Sequence, residues 1–131
     1  MFVDASAIVA IIADEDDGTA LARRLSVAQR RYTSPIAVYE TILGIARIRG
    51  GPLAAVSALI DEFIQRLDID TIPITADIGR AALAAFDRFG RGRHPARLNM
   101  GDCFAYACAR ELGVPLLFKG DDFSQTDVAT A

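Results

Sequence analysis

The chain has 131 residues, 52% of them hydrophobic, with 17 acidic residues, 14 lysines and arginines, one histidine and a formal net charge of −3. That apolar content suits a single domain over residues 1–131 with a core of its own and excludes a disordered chain. No apolar run reaches the roughly 18–20 residues that span a bilayer, and an acidic balance does not by itself mark a nucleic-acid binder.

The opening "MFVDASAIVAII" lacks a basic leader and is interrupted by Asp4, so it reads as mature protein rather than a signal peptide. Phe2–Val3–Asp4 predicts a short buried strand, after which Ser6 can cap a helix through "AIVAIIADE". "DDGTALARRLSVAQ" predicts a second helix and "RRYTS" a second short strand. Ser34 followed by Pro35 is a helix start, and that helix runs through "IAVYETILGIARIR" to Gly50–Gly51. Its apolar character nearly all round predicts a largely buried helix.

Pro52 opens the next helix, with Leu53, Val56, Ile60, Phe63 and Leu67 at helical spacing. "IDTIPI" predicts a strand, Thr75 or Asp77 the start of a helix ending at Gly90, and "GRGRHPARLN" a basic loop. A helix from about Gly101 to Leu112, stopped by Gly113, then leads into the strand "PLLFK" and a tail that is irregular or a short strand. Apolar strands alternating with helices imply a three-layer α/β/α domain with a central parallel sheet of four or five strands.

Cys103 and Cys108, five residues apart on one helix, point in different directions, so both are expected to be reduced, buried hydrophobes in a cytoplasmic protein. With His94 as the only histidine, a Cys/His zinc site has almost no ligands to draw on.

The carboxylates carry the functional signal. Ligand sites of open parallel sheets form outside the carboxyl ends of the strands. Asp4 ends the first strand, Asp121 and Asp122 follow the last, Asp102 opens a helix that starts from the same rim, and Glu40 lies one turn into the helix after "RRYTS". Each Asp has an ordinary alternative as a turn or capping residue. Glu40 has no Lys or Arg three or four residues away to pair with. Two carboxylates about 4 Å apart repel by roughly 4 kcal/mol at an effective dielectric near 20. A converging set must therefore be protonated or hold a cation. Oxygen ligands without His or Cys suit Mg²⁺ or Mn²⁺. Such an ion takes one or two direct carboxylates, here Asp4 and Asp102, with Glu40 and Asp122 acting directly or through water. The chemistry this favours is phosphodiester hydrolysis by metal-activated water, with no histidine base required.

Taken together, "MFVDASAIVAII", "TSPIAVYE", "LNMGDCFAYACARELGVPLLFKGDDF" and "GDDFSQTDV" resemble the PIN-domain ribonucleases, and more closely the VapC toxins of bacterial type II toxin–antitoxin pairs. The resemblance covers essentially the whole chain. It implies a Mg²⁺- or Mn²⁺-dependent endoribonuclease with catalytic and metal-binding acids at Asp4, Glu40 and Asp102. Asp122 is the fourth, best matching "GxDF", and Asp121 its neighbouring alternative. Ser6 is implied as the hydroxyl that assists Asp4. The resemblance also implies a VapB-like antitoxin partner and a homodimer.

Arg91, Arg93 and Arg97 crowd the loop that enters the Asp102 helix, and Lys119 lies near the acidic rim; these are the candidate RNA-binding residues. No base-reading constellation is visible. The competing reading is a catalytically silent PIN-fold module that binds RNA or antitoxin. A haloacid-dehalogenase-type phosphatase would need an acid where Ser6 stands, and a receiver domain would need adjacent acids before its first helix.

Overall fold

The computed structural model describes all of residues 1–131. Four very short strands, β1 (Phe2–Val3), β2 (Arg31–Thr33), β3 (Ile69–Thr71) and β4 (Leu116–Leu117), form one sheet in the order β3-β2-β1-β4. All three pairings are parallel, with Phe2 opposite both Tyr32 and Leu116 and Arg31 opposite Ile69. The sheet thus has the lower of the two expected strand counts. The tail adds a single parallel bridge from Thr130 to Leu116 on the outer edge of β4, which covers part of that edge.

Alternation along β1 and β4 divides the core. Phe2 and Leu116 face one side, where α5 (Ala76–Phe89) and α6 (Met100–Leu112) supply Ile78, Ala82, Phe89 and Cys108. Val3 and Leu117 face the other, where α1 (Ala5–Ile12) and α2 (Gly18–Ser26) supply Ile8, Leu21 and Leu25. All four strand residues are fully buried, and a side chain of this kind contributes about 1.5–3 kcal/mol on leaving water. The hairpin of α3 (Pro35–Arg49) and α4 (Leu53–Arg66) packs around Ile45, Val56 and Ile60. The layers are therefore helix, parallel sheet, helix, with all four carboxyl ends on one rim. No helix is long and apolar enough to cross a membrane.

The elements fall where the sequence reading puts them, but several boundaries differ: α1 stops at Ile12 rather than near Glu15, and β3 and β4 cover only part of "IDTIPI" and "PLLFK". Asp4, not Ser6, caps α1: its backbone is extended and its carboxylate accepts the Ser6 N–H, which puts Ser6 inside the first turn. Helix α2 begins at Gly18 and ends at Ser26, shorter at both ends than the pattern suggested. Helix α3 is not largely buried, since Tyr39, Leu43 and Ile48 lie exposed; its contacts with α1, α4 and α6 leave an open apolar face.

Arg31 joins three elements. Its guanidinium donates from Nε to the Leu25 carbonyl at 2.8 Å, from Nη1 to Leu67 at 2.9 Å and from Nη2 to Ser26 at 3.0 Å. It thereby binds carbonyls at the end of α2 and at the C-cap of α4, of which that of Leu25 also accepts the Ala28 amide. Replacement by methionine is expected to lower stability by about 2 kcal/mol in urea denaturation. Arg31→Lys should restore only part of this, because an ammonium cannot reproduce the fork. An unchanged denaturation midpoint in the methionine variant would refute the tie.

Candidate active site

The acids arrive at the rim by different local routes. Asp4 follows β1 directly, and its amide is held by the Leu117 carbonyl at 2.9 Å. It is buried, at 4% exposure. Its Oδ2 accepts two hydrogen bonds from Ser6, from the amide at 2.9 Å and the hydroxyl at 2.6 Å. The Ser6 Oγ in turn accepts the Lys119 amide at 3.0 Å, just past β4. Ser6 therefore orients Asp4 and ties the start of α1 to the loop after β4.

Asp102 is held by the same device. Asn99 caps α6, and its Oδ1 accepts the Asp102 amide at 2.9 Å, while Asp102 Oδ2 accepts the Asn99 amide at 2.8 Å. This reciprocal capping box satisfies two otherwise orphaned amides. Asp102 is thus a capping residue in fact, and the bond occupies one oxygen only. In both aspartates Oδ2 serves the helix start and Oδ1 lies outside that bond.

Glu40 reaches the pocket from α3, half-buried. Its carboxylate lies against the Cα of Gly101, so close that a Cβ added there would collide with both Glu40 oxygens. Gly101 is a functional candidate that the sequence reading missed. Its only signal was a glycine in the first turn of a helix immediately before a candidate acid.

Asp122 is exposed, beyond the turn made at Gly120 (φ +89°), and its charge acts on both Asp4 and Asp102. The neighbouring Asp121 engages Ser124 through its backbone carbonyl instead.

Electrostatics show that these groups share one environment. Burial, followed by the charges of Asp4 and Asp102, pushes the Glu40 carboxyl up to about 7. Burial is also the largest influence on Asp102, which rises to about 6. The Asn99 amide and Arg91 oppose that rise; Asp4 and Asp122 add to it. Asp4 is raised as well, by burial first, against the lowering effect of its Ser6 bonds. Burial keeps the Cys103 and Cys108 thiols protonated, near 11, and both cysteines are free.

The donor set fits a hard divalent cation in one respect and limits it in another. It is all oxygen and carries uncompensated like charge. No three acidic, histidine or cysteine side chains stand close enough to form a finished ligand set. The mutual charge effects nonetheless place four carboxylates within range of one another. Both facts agree with an ion held directly by one or two carboxylates and completed by water.

The candidate basic residues divide. Arg93 is paired with Asp87 at 2.7 Å, and Lys119 is paired with Glu15. Arg91 and Arg97 have no acidic partner within the chain, and the Arg91 charge is felt at Asp102.

Residues 1–129 match the PIN domain family. The chain is 40% identical to a VapC ribonuclease of Rhizobium meliloti (strain 1021), covering 97% of this chain and 98% of the relative. It is 42% identical to the ribonuclease VapC28 of Mycobacterium tuberculosis (strain ATCC 25618 / H37Rv), covering 100% and 97%. Among solved structures it is similar to the Mycobacterium tuberculosis toxin VapC20, described as cleaving the sarcin–ricin loop. The TM-score is 0.75 at 23% identity, with 99% of this chain and 97% of that one covered, a likeness of fold.

The raised carboxyls have a consequence for stability. Glu40 rises from 4.5 to about 7 and Asp102 from 3.8 to about 6. A carboxyl raised on folding stabilises fully below its unfolded value and loses that contribution as pH climbs through its folded value. The metal-free protein is therefore expected to lose thermal stability between about pH 4 and pH 7 from this source. Glu40→Gln should flatten that decline, and added Mn²⁺ should raise the melting temperature more at pH 8 than at pH 5, because ligands must be deprotonated. Thermal melts with chelator and with Mn²⁺ check both; superimposable pH profiles for wild type and variant would refute the shared pocket.

Proposed function

The chain belongs to the PIN domain family and to its VapC ribonucleases, and from that premise we propose that it is a Mg²⁺- or Mn²⁺-dependent endoribonuclease acting as the toxin of a toxin–antitoxin pair. The observation that carries this reading is the convergence of Asp4, Glu40, Asp102 and Asp122, from four separate elements, on the carboxyl rim of the sheet.

Asp4 and Asp102 are the residues that would hold the ion directly, since each is fixed at one oxygen by its own helix start. Glu40 and Asp122 would act directly or through water. When bound, a divalent ion supplies a lowered water pKa and neutralises charge on the scissile phosphate. The chain's own contribution is positional. Ser6 keeps Asp4 in one orientation, Asn99 does the same for Asp102, and Gly101 leaves room for the Glu40 carboxylate. Rigid placement of this kind is worth much of a hydrolytic barrier, because a misplacement of about 1 Å can cost 10²-fold.

The partner we propose is a VapB-like antitoxin that covers the acidic rim, where a guanidinium could neutralise the same carboxylates. A homodimer fits the exposed apolar side chains of Tyr39, Leu83 and Met100. A cytoplasmic location suits the two protonated, unbridged cysteines.

Asp4→Asn and Asp102→Asn are each expected to reduce metal-dependent RNA cleavage by about 10²-fold or more and to relieve growth arrest on expression. A wild-type chain that cleaves no RNA with either ion would leave a PIN fold that only binds. Gly101→Ala separates position from stability. Alanine favours a helix by about 1 kcal/mol over glycine, so the melting temperature should hold or rise. Cleavage should nevertheless fall on the order of 10- to 100-fold, because the new methyl group displaces the Glu40 carboxylate. Full activity in Gly101→Ala would show that Glu40 is not held where the reaction needs it.

A further inference from the structure

The loop between α5 and α6 is built as a fixed object. Gly90 bridges Leu98 in parallel register, and the amides of Arg91, Arg93, His94 and Arg97 all find carbonyls within the segment or its flanks. His94 Nδ1 accepts the Ala96 amide at 3.1 Å, and the ring packs edge-on against Phe89 at 5.2 Å. With Nδ1 occupied, the neutral imidazole carries its proton on Nε2 as a free donor. Arg97 sits at φ +53°, a left-handed conformation that costs a non-glycine residue about 1–2 kcal/mol. Such strain persists only where surrounding bonds impose it.

The result is an open hollow of about 500 Å³ lined solely by Arg91, Gly92, Arg93, His94, Pro95 and Arg97. No apolar side chain of the core and no acid lines it. The other arginines nearby are committed: Arg88 to Asp127, Arg80 to Asp77 and Arg93 to Asp87. Arg91 and Arg97 are left without partners, and Arg91 acts on Asp102 across the boundary with the acid pocket.

We propose that the Gly90–Leu98 loop is a preformed phosphate cradle in which Arg91, Arg97 and His94 Nε2 bind the sugar–phosphate backbone of an RNA strand beside the acids. This rests on the nuclease reading for its ligand class. The cradle holds phosphates flanking the one that is cleaved, and it does so without regard to base identity, since guanidinium–phosphate contacts position a strand but do not read it. It also resolves an electrostatic conflict, because an acid pocket repels the polyanion it acts on and a fixed cationic neighbour offsets that repulsion. Arg93 is held in reserve by Asp87.

The test measures binding, not cleavage. The full-length protein, in chelator so that no cutting occurs, is titrated with a fluorescent single-stranded RNA oligomer over a range of salt. Each phosphate contact on a single strand contributes a slope of about −0.7 in log K against log salt. Arg91→Gln and Arg97→Gln should each flatten the slope by about 0.7, the double variant by about 1.4, with unchanged melting temperatures. Asp87→Asn should steepen the slope by freeing Arg93. The NMR signals of the chain's single histidine should move with RNA and stay fixed with an uncharged morpholino of the same sequence. An unaltered slope in the double variant, or no measurable RNA binding by the wild type, would overturn the cradle. Cradle behaviour together with failed cleavage in Mg²⁺ and Mn²⁺ would instead overturn the nuclease reading and leave the cradle standing.

Discussion

Two aspartates bonded to the first turns of their own helices govern the layout of this protein. Asp4 and Asp102 each give one oxygen to a helix start, through Ser6 in α1 and Asn99 in α6. Those bonds are local, so they form with the helices and require nothing to be bound. They also lie at the positive end of a helix dipole, which favours a carboxylate there. The fold can consequently bring two anions to one rim and hold them still, although burial and mutual repulsion push both carboxyls upward. Helix capping and active-site construction are here the same bonds.

Charge is distributed to match. A net charge of −3 describes neither side of the rim. The carboxylates gather at the carboxyl ends of β1, β4 and the neighbouring helix starts, while the segment that enters α6 carries Arg91, Arg93 and Arg97. A helix whose first turn bears an acid is thus preceded by a loop bearing unpaired cations. Removing either half would leave the other with a field of one sign, which binds a metal ion or a phosphate chain but not both in adjacent positions.

The local devices were legible in the sequence because they are written within a few residues. Ser34 before Pro35 and Gly113 after α6 cap where the residue types said they would, and of the two candidates for the start of α5 it is Thr75 that caps, with Asp77 in the first turn. The cap of α1 is ambiguous in the sequence because Asp4 and Ser6 both belong to capping types, and only the backbone angle of Asp4 and the direction of the Ser6 amide decide between them. The exposure of α3 is hidden in the sequence because a helix apolar nearly all round reads the same whether every face is covered or one, at Tyr39, Leu43 and Ile48, is left open. Strands of two or three residues are too short for periodicity to delimit. Gly101 offers only its place before a candidate acid: its meaning lies in the nearness of Glu40, on a different helix, and nothing beside it in the sequence indicates that contact.

Glu40 differs from the two aspartates in how it is held. It sits in mid-helix, carries a longer side chain, and no hydrogen bond offsets its burial. Its carboxyl consequently rises to about 7, against about 6 for Asp102 with its amide bond. The pocket therefore combines two fixed carboxylates with one that is only crowded into place, by Gly101 beneath it and like charges around it. A closed triad of fixed acids would carry its full repulsion in the absence of an ion. Leaving one member adjustable lets the metal-free chain relieve that repulsion by protonation, while the space over Gly101 keeps the carboxylate where an arriving cation would find it.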